Sequence, residues 1–144
     1  MYDSTITLFN YHAATRCWYP SIIRGVDVGF AQSSRSTREG RNSANNIVMI
    51  VHTGRDKGVL TTAGVKPYIE PKAYAEHDSP TGAFTFAPEK DFFYEGEWPD
   101  LAPVTESEED EGFYQTMNDS YDGVHIVQSA EFFGLLPHFE IGGK

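Results

Sequence analysis

Two segments with alternating apolar and polar residues begin the chain. They are Ser4–His12 and Trp18–Asp27, separated by the short link Ala13–Arg16. A period of two is typical of strands that bury one face, and a link of this length favours a hairpin. Within the second segment, Pro20 favours a sheet edge or a strand's first residue, and Gly25 favours a bulge. The pattern therefore predicts an N-terminal β-hairpin.

The last two dozen residues carry the same alternation. It runs through Gly123–Gln128 and His138–Ile141, and Gly134 and Pro137 mark the link between the two segments. Glycine and proline are the residues that most often interrupt regular structure. The pattern predicts a closing pair of strands that completes a sheet or a small barrel.

The middle of the chain contains shorter candidate strands. The apolar run Asn46–His52 predicts a buried strand, and Ala83–Ala87 and Phe92–Glu97 predict two more. Tyr68–Tyr74 is extended in character but contains Pro71, so it predicts only a weak edge strand. Glycines and prolines between these segments leave no long uninterrupted helical pattern.

Three stretches without alternation are predicted to be loop insertions in a single domain that spans residues 1–144. They lie near residues 29–46, 53–66 and 98–119, and the second is either irregular or a small hairpin. The third contains an acidic run and predicts one short helical turn with Thr105 as its N-cap. The expected fold is all-β, a small β-barrel or sandwich with long projecting loops and at most short helical turns.

The composition fits one aromatic-rich β domain. Aromatic residues make up 14% of the 144 residues, which suits strands more than helices. The single Cys17 excludes an internal disulfide and fits a reducing compartment. The chain has no apolar run of the length that a membrane helix needs and no charged-then-apolar leader, so we expect a soluble protein without an ordinary signal.

The charge is distributed unevenly. Residues 1–90 contain ten Lys or Arg and eight Asp or Glu, whereas residues 91–144 contain one Lys and thirteen Asp or Glu. The two parts therefore carry +2 and −12. An acidic surface repels nucleic acid, because phosphate attraction comes from Lys and Arg. Sequence-specific DNA binding is not expected.

Two charged clusters are the candidate contact residues. The basic cluster lies in the first insertion and the acidic cluster in the third: Arg35, Arg38 and Arg41, and Glu106, Glu108, Glu109, Asp110 and Glu111. Interpretations of the arginines are a solvated loop, an arm that reaches a neighbour, or a DNA contact. The acidic run lacks the spacing of a calcium loop, which favours a solvated or partner-facing segment over a cation site.

No pattern of catalytic or cofactor-binding residues is present. The five histidines form no HExxH-type pair, and a zinc site would need ligands from distant strands. The phosphate-cradling, dinucleotide and nucleophile-elbow motifs are absent from the sequence. The sequence therefore predicts a protein that is not an enzyme and that needs no cofactor or metal.

In the order of its elements the chain resembles the head-completion, or stopper, proteins of tailed bacteriophages. These proteins form part of the head-to-tail connector, or neck, and are often called minor capsid proteins. The resemblance is carried by STITLFNYH with WYPSIIRGVDV, a polar loop before NIVMIVH, FTFAPEKDFFYEGEW, the YDGVHIV strand and the tail LPHFEIGGK. The stretches Thr53–Lys66 and Trp98–Asp119 have no counterpart in it.

The resemblance implies a structural role in the virion. Such proteins form a ring of six or twelve copies below the portal and adaptor and above the tail, and the packaged DNA passes through the ring without sequence-specific binding. The protein would be made in the bacterial cytoplasm and reside in the virion neck. Alternatives are a tail terminator or adaptor ring of the same connector, or a small β-barrel domain that binds or hydrolyses a ligand.

Overall fold

The computed structural model describes residues 3–30, 47–106 and 112–144. In chain order the elements are β1 Ser4–His12, β2 Cys17–Phe30, β3 Ile47–His52, β4 Val59–Thr61, β5 Gly64–Lys66, α1 Pro71–Ala75, a 3₁₀ turn at Pro80–Gly82, β6 Phe92–Glu95, β7 Val104–Thr105, α2 Phe113–Ser120, β8 Val124–Phe133 and β9 His138–Gly143.

Six of the strands close into an antiparallel barrel. The order around it is β1-β6-β8-β9-β3-β2, and β2 returns to pair with β1. Strand β7 adds to the outside of β2, and β4 and β5 form a separate small hairpin. The helices are only five and eight residues long. The predicted all-β barrel with short helical turns is confirmed.

Two long strands join the halves of the barrel. The first part of β2 pairs with β1 and its last four residues pair with β3, while β8 passes in the same way from β6 to β9. The register slips by one residue at Gly25 and at Gln128, and Gly25 has a φ of 72°. A bulge bends a strand, so each slip lies where its strand changes partner. The bulge predicted at Gly25 is confirmed.

The strand pairings divide the barrel into two halves. The β1–β6 half comprises β1, β6, β7 and the first parts of β2 and β8, and the β3–β9 half comprises β3, β9 and the last parts of β2 and β8. The interior between the halves is filled by side chains from all six barrel strands, from β4 and from the segment that precedes β6. These side chains are Ile6, Leu8, Ile23, Val26, Ile47, Met49, Val51, Val59, Phe84, Phe86, Phe93, Val127, Phe139 and Ile141. The barrel therefore has a packed core.

A second apolar layer covers the outer face of the β1–β6 half. Phe92 stacks on Phe9 with ring centroids 4.8 Å apart, and Phe113 of α2 packs against both rings. Met117 of α2 is buried in the same cluster, as is Trp18. The described parts of the 98–119 insertion are therefore packed on the barrel instead of projecting from it.

The helix in this insertion begins later than predicted. It starts at Phe113, with Gly112 as N-cap, whereas Thr105 ends β7 and pairs with Cys17. The prediction of Thr105 as the N-cap is wrong, because its backbone is committed to the sheet. The apolar residues at the start of α2 fix its position, since they need the aromatic layer beneath them.

Two predicted strands are also wrong. The segment predicted as a weak strand at Tyr68–Tyr74 contains α1, because Pro71 occupies the first helical turn, where its missing N–H costs nothing. Ala83–Ala87 is extended but makes only an isolated bridge, between Phe84 and Tyr68. Its residues 83–86 are buried, and several of its backbone groups bond to side chains.

The remaining strand predictions hold. Both hairpins are present, the second insertion contains the β4–β5 hairpin, and β6 begins where the predicted return strand begins. β3 alternates buried and more exposed residues, so it buries one face and not two. β8 continues to Phe133, beyond the predicted end at Gln128, because the register slip lets it pair with β9.

Candidate interaction surfaces

Most of the predicted contact residues lie outside the described part of the chain. This is true of all three arginines, Arg35, Arg38 and Arg41, and of the acidic residues Glu108, Glu109, Asp110 and Glu111. Glu106 is described, and its Oε1 accepts a hydrogen bond of 2.7 Å from the backbone N–H of Phe113. A carboxylate stabilises the positive end of a helix. Glu106 therefore has a structural role within its own chain, at the start of α2.

The outer face of the β3–β9 half differs from the covered face of the β1–β6 half. Among the described residues, neither apolar cluster lies on it, since one fills the interior and the other covers the β1–β6 half. Its side chains form three rows across the strands, which follow from the register: His52, His138 and Phe133; Asp27, Ile50, Glu140 and Glu131; Gly29, Val48, Gly142 and Ser129. We call this surface the open face.

The open face contains a depression of about 300 Å³. Its lining includes Val48, Ser129 and Gly142 of the third row and both glutamates of the second. The third row consists of two glycines, a serine and one valine, so it lacks bulky side chains. The open face thus has a floor of small residues, which is the third row, and a carboxylate edge, which is formed by Glu131 and Glu140 of the second row.

The carboxylate edge is formed by a cross-strand pair of like charges. Glu131 and Glu140 lie directly opposite each other in the register of β8 and β9. Like charges at this position destabilise a sheet. His138 Nε2 lies 3.1 Å from Glu140 Oε2, and the pKa of His138 is raised, first by its hydrogen bond to the Leu136 carbonyl and then by Glu140. Within the described residues Glu131 has no cationic partner.

Large apolar side chains are exposed at turns and strand ends. Leu135 and Leu136, in the β8–β9 turn, are 96% and 77% exposed. Leu60 and Val65 face each other across the β4–β5 hairpin and are also exposed, as is Phe30 at the end of β2. Exposed clusters of apolar groups are typical of contact surfaces. The sequence did not indicate them, because apolar residues at strand ends resemble core residues.

The most strongly buried ionisable group is Asp91. Its Oδ1 accepts a hydrogen bond from the Tyr11 N–H, and its Oδ2 accepts bonds from Asn10 Nδ2 and the Ala87 N–H, at 2.8–3.0 Å. Asn10 Nδ2 also donates to the Thr85 carbonyl at 2.6 Å. Burial raises the pKa of Asp91 to about 7, and the hydrogen bonds oppose this rise. This network fastens residues 85–91 to β1.

A buried lysine fastens the β4–β5 hairpin in a similar way. Lys66 Nζ donates a hydrogen bond of 2.7 Å to Ser21 Oγ of β2, and burial lowers the pKa of Lys66. A Ser–Lys pair can act as a nucleophile and its base. Here the two residues are 3% and 7% exposed, which denies a substrate access to the hydroxyl. The pair is a structural contact.

The described residues also bear on metal binding and on membrane insertion. No group of three or more His, Cys, Asp or Glu side chains there is arranged to hold a metal ion. Across the same residues, neither helix combines the length and the apolar character needed to cross a membrane.

The fold and its surfaces define a small, closed β-barrel with a packed interior, one covered outer face and one open outer face. The chain belongs to a family of unknown function, DUF6751, whose model matches residues 1–144. No curated protein and no solved structure matches the chain.

Proposed function

We propose that this protein is a structural component of the neck of a tailed bacteriophage. It forms a ring of six or twelve copies below the portal and adaptor, joins the DNA-filled head to the tail and helps to retain the genome. The stopper position is the preferred one, and a tail terminator or adaptor ring of the same connector is the alternative. The observation that carries the proposal is a barrel whose interior is filled and whose open face and exposed apolar turns are suited to contacts.

The filled interior weighs against a ligand-binding or hydrolytic barrel. A ligand-binding barrel keeps space within its strands or at its mouth. Here Phe84 and Phe86, from the segment before β6, pack inside the barrel against Phe139 of β9. Asp91 and Lys66, which are buried and have a shifted pKa and polar partners, are enclosed by their own chain. The barrel is therefore better suited to contacts with other molecules through its outer surface than to binding or converting a ligand in its interior.

The charge distribution supports a channel position. The part of the chain from residue 91 onward carries −12, and its single cation is Lys144. A surface that lacks Lys and Arg does not hold phosphates. A channel lined by such a surface lets a duplex move through it during packaging and ejection. This fits passage of DNA without sequence-specific binding.

Assembly into a closed ring needs two different patches on each subunit. In a heterologous interface one patch contacts a different patch on the next copy, and the ring forms if the rotation closes. The basic patch in the proposal comprises Arg35, Arg38 and Arg41. Its partner is an acidic surface of the neighbouring subunit, for which the run Glu106–Glu111 is one candidate.

Negative-stain electron microscopy of the purified chain tests this proposal. The chain is imaged alone and mixed with a purified portal–adaptor complex. We expect rings with six-fold or twelve-fold symmetry, either free or stacked on the connector. A chain that forms no ring and binds no connector component in either preparation contradicts the proposal.

A further inference from the structure

We infer that the open face receives residues 31–46 of a second copy of this chain. The inference rests on the proposed function, because it takes a ring of identical subunits as given. It names the surface that the basic segment contacts in the next subunit. The other occupants of this face, the same chain's own segment or an unrelated protein, are the outcomes if the mixed cross-link described below does not form.

The floor of the open face can accommodate an extended chain. The third row, Gly29, Val48, Gly142 and Ser129, crosses four neighbouring strands, and the depression of about 300 Å³ lies over part of it. A Cβ added at Gly29 would meet no atom within 4 Å. Main-chain atoms of a partner can therefore approach the row closely at Gly29, and small side chains fit it best.

The edge of the face carries negative charge that the described part of its own chain neutralises only at Glu140. Glu131 and Glu140 oppose each other at a cost to the sheet. Within the part of the chain that the structure describes, their one basic contact is that of His138 with Glu140. A guanidinium group binds two carboxylate oxygens at once and remains charged at all relevant pH values. An arginine-bearing segment would remove the repulsion between the glutamates.

Residues 31–46 have the complementary composition. They contain Arg35, Arg38 and Arg41 against the single acidic residue Glu39, which gives a charge of +2. The remaining residues are mostly Ser, Asn, Ala and Gly, whose side chains suit a floor with little depth. The segment connects Phe30 to Ile47, which are paired at the end of the same half of the barrel. Sixteen residues that leave this edge can extend to a neighbouring subunit.

Glu106 is less suited to receive an arginine. One of its carboxylate oxygens is already bonded to Phe113 N–H, and it faces a helix end that needs this charge. Glu131 has no such internal partner among the described residues. Glu131 on the open face is therefore a better contact than Glu106 for the arginines of a neighbouring subunit.

Cross-linking between single-cysteine chains tests the contact directly. In a Cys17→Ser background, one chain carries Ser36→Cys within the segment and the other carries Ser129→Cys on the open face. The two chains are mixed and treated with a short bismaleimide. Because each chain has one thiol, a product that joins the two kinds of chain is necessarily intermolecular. We expect that mixed product to dominate, and its absence would overturn the inference in favour of another occupant.

Charge variants provide the second readout. Glu131→Lys with Glu140→Lys should reduce the mixed product at least tenfold at low ionic strength. Adding Arg35→Glu, Arg38→Glu and Arg41→Glu to the chain that carries Ser36→Cys should restore the mixed product. Asp78→Lys with Asp122→Lys, two exposed positions away from the open face, is the matched control and should leave the yield unchanged. A melting curve confirms that each variant is folded.

The outcomes separate the inference from the proposed function. Rings in the microscope without the mixed cross-link overturn the inference and leave the neck proposal standing. A mixed cross-link that responds to the charge variants supports the contact even if the chain is later found outside the neck. A cross-link that is indifferent to Glu131 and Glu140 overturns the assigned face.

Discussion

Replacing Asp91 with alanine should lower the free energy of unfolding by about 3–5 kcal/mol at a pH of about 5.5, because the substitution breaks a buried hydrogen-bond network. The substitution removes the acceptor of the Tyr11 and Ala87 N–H groups and one of the two acceptors of Asn10 Nδ2, which keeps its bond to the Thr85 carbonyl. Each unsatisfied donor costs about 1–3 kcal/mol. Denaturant unfolding followed by tryptophan fluorescence measures the loss, since Trp18 lies in the adjacent aromatic layer.

Asp56→Ala is the control for this prediction. Asp56 also accepts a hydrogen bond from a loop N–H, that of Gly58, but it is exposed to solvent. Water replaces a lost hydrogen bond at such a site, so the expected cost is below about 1 kcal/mol. Equal losses for the two variants would show that Asp91 does not hold residues 85–91 on β1.

The effect of Asp91 should depend on pH. Its pKa is about 7 in the folded protein and about 3.9 in an unfolded chain, so the folded state keeps a proton that the unfolded state releases. The contribution of this pKa difference to the free energy of unfolding is fully present below about pH 4, and it is lost as the pH rises through 7. The difference in the free energy of unfolding between the wild type and Asp91→Asn should therefore decrease by about 2 kcal/mol from pH 5.5 to pH 7.5. A constant gap contradicts the assigned pKa.

Reversing the charge of all three arginines should abolish ring or connector assembly at low ionic strength. The triple variant Arg35→Glu, Arg38→Glu and Arg41→Glu replaces the main basic cluster of a chain whose net charge is already −10. Attraction between subunits then becomes repulsion, which is strongest where salt does not screen it. Light scattering and negative-stain microscopy measure the assembled fraction.

The matched control reverses Arg55, Lys72 and Lys144, which changes the net charge by the same amount. These cations lie elsewhere on the exposed surface, and assembly should persist. If the arginine variant assembles as well as the wild type, the basic segment is not an interface. If both variants fail equally, net charge and not the segment controls assembly.

The strands that form hairpins could be predicted from the sequence, because alternation and turn residues are local signals. Ser4–His12 and the closing pair are clear cases, and Gly25 was correctly assigned to a bulge. Ala83–Ala87 could not be placed in this way. Its apolar residues suit a strand, but its buried backbone groups bond to Asn10 and Asp91, and that arrangement depends on distant parts of the chain.

The buried polar network at Asn10 and the position of α2 were also indicated in the sequence, but less clearly than the strands. Asn10 stands in line with Ile6 and Leu8 on the inward face of β1, and a polar residue there indicates a buried polar partner. Phe113, Tyr114 and Met117 have helical spacing, but they follow an acidic run that favours an extended segment.

The open face could not have been predicted, because its rows depend on strand register. Glu131 and Glu140 are nine residues apart in sequence and become neighbours only through the pairing of β8 with β9. Gly29 and Gly142 are brought together through β3, from opposite ends of the chain. Surfaces built across several strands contain residues that share no local pattern.

The neck assignment is the central claim, and locating the protein in assembled particles tests it most directly. Phage particles from cells that encode this chain are labelled with a gold-conjugated antibody against it and imaged by electron microscopy. The neck assignment predicts gold at the junction between head and tail, at one position per particle. Label on the head shell, at the distal end of the tail, or only in the fraction without particles would contradict it.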